Sequence, residues 1–127
     1  MSRFRADSPD EREALFADAL SAHRERASPF CTFELETAED EEPAWIQFGD
    51  GTVNLDCSDE ELDRLEGLLE SFPAFTIEEL NRPESAEGTN VRISAYADEE
   101  RIAMLIERCF REVYGRREGY AVWATEV

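Results

Sequence analysis

The last apolar stripe constrains this chain most. Ile102, Leu105, Ile106, Cys109, Phe110 and Val113 recur at three- and four-residue intervals, which gathers them on one side of an α-helix. A face that continuous cannot stay in water, so the chain must supply a second layer for it to cover. Asp98 stands where it can cap this helix, and Gly115 where a left-handed turn can end it.

The second layer is written as alternation. Over 30–36, Cys31, Phe33 and Leu35 fall on one side and Thr32, Glu34 and Glu36 on the other, the pattern of a half-buried strand. Strands follow over 44–48 and 52–57, joined by Gly49-Asp50-Gly51, a good hairpin turn. The acidic stretch 39–43 between the first two strands reads as a loop. Further strands are expected over 75–80, around Val91, Ile93 and Ala95, and over 120–127. A polar loop, 81–88, separates the first two of these.

Two more helices complete the pattern. Ser58-Asp59-Glu60-Glu61 is a capping box ahead of Leu62, Leu65, Leu68, Leu69 and Phe72, a stripe that stops before Pro73. Ser8-Pro9-Asp10-Glu11 offers a second box, followed by a thin face of Phe16, Ala19, Leu20, His23 and Ala27 that Ser28-Pro29 terminates.

The order is therefore α-β-β-β-α-β-β-α-β. From Thr52 onward it reads β-α-β-β-α-β, the ferredoxin-like order, with the N-terminal helix and the 30–48 strands extending or flanking that core. We expect one α+β domain over 1–127, a two-layer sandwich with no linker and no internal repeat. Without its last strand, the order is similar to that of bacterial secretion chaperones, whose sheet is a dimer surface; this likeness is one of topology and transfers no residue.

Charge describes the solvent this chain suits. There are 31 acidic residues against 13 arginines and no lysine, a net charge of -18. At roughly 1 M salt the Debye length falls to about 3 Å, and self-repulsion of that size becomes tolerable. A nucleic-acid mimic would concentrate its carboxylates on one face, whereas here they occur in every helix and most loops. No cation-rich stripe or RNP-like run exists to hold a nucleic-acid backbone. Carboxylate pairs at helical spacing, such as Glu66 and Glu70, arise by chance at this density and do not argue for acid–base chemistry.

With stretches such as Trp45-Ile46-Gln47-Phe48-Gly49 and Val53-Asn54-Leu55-Asp56-Cys57, the chain resembles the short, acidic, lysine-poor proteins of haloarchaea that carry no assigned function. The resemblance covers most of the chain. It implies a halophilic, cytoplasmic protein and nothing about chemistry.

The sequence points to no membrane span, no leader with an apolar stretch behind the basic 1–5 segment, and no cofactor. Cys31, Cys57 and Cys109 are odd in number and sit in apolar-periodic segments, as buried reduced thiols do. One histidine and no Cys-x-x-Cys argue against zinc, and no nucleophile signature occurs. His23, on the apolar side of the first helix, reads as a packing residue.

The most informative constellation is the sheet face turned away from the helices. Trp45, Gln47, Asn54, Arg92, Tyr96 and Trp123 are assigned to it by alternation. Two indoles, a phenol, a guanidinium and two amides suit an interface hot spot and equally a small-ligand site. Three arrangements stay open: a second small core under the N-terminal helix, self-association, or a ligand or protein partner. The expectation is a small interaction or regulatory module, homodimeric and without catalytic machinery. The alternative is a metabolite-binding domain or cofactor-free enzyme with a pocket beside the sheet.

Overall fold

Asp50 and Gly51 carry φ values of 50° and 73° in the computed structural model, which describes residues 4–37, 43–84 and 88–126. Positive φ at both central residues is the conformation that lets a two-residue turn follow the twist of its strands. It joins β3 (Trp45–Gly49) to β4 (Thr52–Cys57), and the two pair antiparallel from Gly49↔Thr52 to Ile46↔Leu55. Tyr96 lays its ring against Gly51, where an added Cβ would fall 2.4 Å from the ring.

The remaining strands are β1 (Arg5–Ala6), β2 (Cys31–Leu35), β5 (Thr76–Asn81), β6 (Thr89–Ser94) and β7 (Val122–Glu126). Together they make one seven-stranded sheet in the order β1-β7-β2-β3-β4-β6-β5, with every pairing antiparallel. The fold is thus α+β, but its strand order is not that of a simple ferredoxin-like core. In that core the last strand would lie beside β4. Here the short turn gives that edge of β4 to β3, and β2 takes the far edge of β3, so β7 pairs with β2 instead. A two-residue closure costs far less chain entropy than a long-range pairing, and β2 and β3, expected to extend or flank the core, lie within the sheet between β7 and β4.

The helices are α1 (Pro9–Arg26), α2 (Asp59–Leu69) and α3 (Glu99–Arg108), the last continuing as a π-helical stretch, Cys109–Val113. All three cover the same side of the sheet. Phe16 of α1 meets Phe33 edge-on at 4.9 Å and stacks on Phe110 at 6.1 Å. Leu65 and Leu68 of α2 and Ile102 and Ile106 of α3 join Phe33, Ile46, Leu55 and Ile93 in one core. Arg64 of α2 donates through Nε and Nη2 to the Val113 carbonyl, at 3.1 and 2.8 Å, serving an acceptor at the helix end.

The two serine caps behave differently. Ser58 accepts from the Glu61 N–H while the Glu61 side chain accepts from the Ser58 N–H, so that box is complete. Ser8 makes no side-chain cap; its hydroxyl donates to the Glu11 carboxylate at 3.1 Å. The chain reaches Ser8 directly from β1, whose pairing with β7 was not foreseen and sets the direction of approach. Ala27, expected on the buried face, is the exposed left-handed cap at φ 52°. Gly115 has φ 67°, as its position predicted. The basic residue at 3, the acidic stretch over 39–42, the tip of the polar loop at 85–87 and the end of the last strand at 127 lie outside the described residues.

Candidate functional site

With every helix on one side, strand register alone decides what the other side presents. Side chains of one parity are buried in β3 and β4, and those of the other parity are partly open. Arg5↔Trp123, Trp123↔Glu34 and Glu34↔Trp45 form one row across the sheet. Thr32↔Gln47, Gln47↔Asn54 and Asn54↔Arg92 form the next, ending at Glu79 on β5. Neighbouring strands lie about 4.8 Å apart, so the indoles stand roughly 10 Å from each other with Glu34 between them.

Five of the six residues assigned from sequence are therefore on one surface. Trp45, Gln47, Asn54 and Trp123 are half-buried and Arg92 is exposed. The sixth, Tyr96, lies beyond the end of β6, 79% exposed at the hairpin turn. The N-terminal helix does not cover this surface, since α1 packs with α3 on the opposite side.

Local bonds fix much of the surface. Gln47 donates to the Thr32 hydroxyl at 3.1 Å, and Asn90 donates to Asn54 at 2.7 Å and Asp56 at 2.9 Å. Arg92 pairs with Glu79 at 3.6 Å. The Trp123 indole donates to Glu36 at 3.1 Å, and Arg5 grips the same carboxylate at 3.0 and 2.8 Å. These donors, Arg5 first, hold the Glu36 carboxyl down to about 2.

Sequence reasoning missed two parts. Phe30, 47% exposed, forms one wall of a depression of about 190 Å³ shared with Gln47, Asn54 and Arg92. Gly49 is required beside it, because a Cβ there would lie 2.6 Å from the Pro29 carbonyl oxygen. The second part is a charged group inside the helical layer. Arg12, fully buried, forks onto Glu107 and stacks 3.8 Å from the Tyr120 ring centre. Its signal was available: Arg12 continues the spacing of Phe16, Ala19, Leu20 and His23.

His23 is buried, edge-on to Phe48 at 5.6 Å, with Nδ1 3.2 Å from the Ser28 hydroxyl. Burial lowers its pKa, and Arg24 adds to the effect. All three cysteines are free and buried. Among the described residues, no group of three or more His, Cys, Asp or Glu is placed to hold a metal ion, and no helix is long and apolar enough to cross a membrane.

A family model matches residues 1–127, that of a Family of unknown function (DUF7975), and the chain belongs to that family. No curated protein and no solved structure matches it.

Proposed function

We propose that this member of the DUF7975 family is a small interaction module that pairs with a second copy of itself through the uncovered sheet face, in a salt-rich cytoplasm. The observation that carries the reading is the placement of α1, α2 and α3 on one side, which leaves Trp45, Gln47, Asn54, Arg92 and Trp123 together on the other.

Two copies that each carry -18 repel, so the surface that brings them together has to set opposite charges against each other. The two rows hold Arg5 and Arg92 against Glu34 and Glu79, with Glu36 and Asp56 beside them. A two-fold pairing sets the same patch against itself, so Arg92 of one copy can meet Glu34 of the other. The indoles supply the apolar area, and the amides the directional bonds.

Native mass from light scattering in about 2 M KCl, where charge is screened, tests the reading. The expected result is twice the 14.5 kDa chain mass. Trp45→Ala and Trp123→Ala should each weaken pairing by about 2 kcal/mol, the scale of a hot-spot truncation. A wild-type monomer at every concentration, or a dimer indifferent to both substitutions, would overturn it.

A further inference from the structure

We infer that the depression at the hairpin end of the open sheet face binds a neutral, planar ring with a carbonyl beside an N–H on its edge, as in a pyrimidine base. The site goes beyond the pairing of sheet faces, because one copy of the chain is enough to build it. Two features carry it: the construction of the depression and the two amides on its floor.

Register makes the depression. Phe30 precedes Cys31, which pairs with Phe48, so it stands beside Gly49, and Gly49 pairs with Thr52. One row away, Gln47 pairs with Asn54 and Asn54 with Arg92. Phe30 and Arg92 thus rise at the two sides, three strand spacings or roughly 14 Å apart. Between them lie β3 and β4, where Gly49 offers no side chain to fill the gap. Phe30 leans into that space, since a Cβ on Gly49 would lie 3.2 Å from its ring. The volume left is about 190 Å³.

Each amide on the floor has one end committed. The Asp56 carboxylate can only accept, so Asn90 turns its nitrogen to Asp56 and to Asn54, at 2.9 and 2.7 Å, and Asn54 answers with its oxygen. Gln47 donates its nitrogen to the Thr32 hydroxyl at 3.1 Å. Among the described residues, Asn54 Nδ2 and Gln47 Oε1 have no hydrogen-bond partner. They belong to directly paired residues, whose Cβ atoms stand about 5 Å apart. A donor and an acceptor are therefore neighbours on a half-buried surface. The cavities between β1 and α1, beside Trp45 and between α1 and α3 have no Asn or Gln in their linings.

Ligand class follows from these parts. A ligand that satisfies both amides needs an acceptor next to a donor, which is the edge of a lactam or of a pyrimidine base. The Phe30 ring and the Arg92 guanidinium both offer flat faces on which such a ring stacks. A cavity of about 150 Å³ takes one benzene ring, so about 190 Å³ suits a six-membered ring with its oxygens. Charge points to a neutral ligand. Arg92 is already paired with Glu79 at 3.6 Å, and a net charge of -18 repels an anion.

Titration with uracil, followed in proton–nitrogen correlation spectra through the side-chain amides of Gln47 and Asn54, tests the site. The expected result is saturable shifts at one site per chain. Phe30→Ala should weaken binding about tenfold, the loss of one stacking face. Asn54→Asp should weaken it by about tenfold or more, since a carboxylate still accepts from Asn90 but has no N–H to donate. Dimethyluracil, with both ring nitrogens methylated, should bind about tenfold more weakly or worse. Met104→Ala on the helical side, where that residue is exposed, should change nothing. Far-ultraviolet ellipticity confirms that each variant folds. Tighter binding of uridine than of uracil identifies a nucleoside as the source of the ring, and equal or weaker binding a free ring compound; either supports the site. Light scattering on the same samples separates the two readings, because a monomer that binds uracil removes pairing and leaves this site standing. Absence of saturable shifts in both the wild type and Trp45→Ala, the latter ruling out occlusion by a second copy, would overturn it. So would dimethyluracil binding as tightly as uracil, or binding that either Phe30→Ala or Asn54→Asp leaves unchanged.

Discussion

Arg12 of α1 and Glu107 of α3 meet inside the helical layer as a two-pronged fork, with Nε 2.9 Å from Oε1 and Nη2 2.8 Å from Oε2. The third guanidinium nitrogen donates to the Tyr120 carbonyl, and the Tyr120 hydroxyl donates back to Glu107. One bonded group thus ties α1, α3 and the approach to β7.

Removing one side of this fork leaves a buried charge without its partner. Arg12→Leu or Glu107→Leu should each destabilise the fold by about 3–5 kcal/mol. Together they should cost clearly less than the sum, because no unpaired charge remains. Urea unfolding of the two single variants and the double variant measures this coupling. Additive losses would show that the fork contributes no pairwise energy.

The fork also shows where the sequence stops being legible. Alternation located β2, β3, β4 and β6, because half-buried strands repeat at a period of two whatever lies beside them. It could not say which strands are neighbours. The ferredoxin-like reading failed there: β2 and β3 fill the place that β7 would take. The residues of the open face were legible one by one through parity. That the face stays open depended on which side α1 packs, and the thin stripe of Phe16, Leu20 and His23 does not specify a side. Arg12 was lost because a cation at the head of an apolar stripe reads as its solvated end, and the groups that make its burial tolerable, Glu107 and Tyr120, lie 95 and 108 residues away. Ser8 and Ser58 carry the same capping motif, and only tertiary context separates the box that forms from the one that does not.

Glu36 should report acid loosening of the N-terminal edge. Its carboxyl is held at about 2 by Arg5 and the Trp123 indole, against an ordinary 4.5. A carboxyl whose folded pKa is depressed contributes stability above its unfolded value and loses it as pH falls through the folded one. The contact between β1 and the end of β2 should therefore weaken from about pH 4.5 to pH 2. Indole NH resonances followed across that range should show a shift at Trp123 that Glu36→Gln removes. Because many other carboxyls titrate in the same window, the difference between the two proteins is the quantity to read. Identical titrations at Trp123 would show that Glu36 does not control it.

The three cysteines should be inert in the folded chain. Cys31, Cys57 and Cys109 lie in the apolar core with exposures of 0%, 2% and 0%. Burial pushes the Cys31 and Cys57 thiols up to about 12 and raises Cys109 as well, since a thiolate there would lose its hydration. Only the thiolate attacks a disulfide reagent, and such a shift reduces its population by about 10³ at neutral or mildly alkaline pH. Access falls too, because the reagent has to wait for the core to open. Labelling with an aromatic disulfide at about pH 8 should therefore modify none of the three under native conditions. In denaturant all three should react, and labelling in sub-denaturing urea should accelerate in step with the population of open protein. Fast modification of one thiol in the native state would place that cysteine at the surface and contradict the packing of its strand or helix.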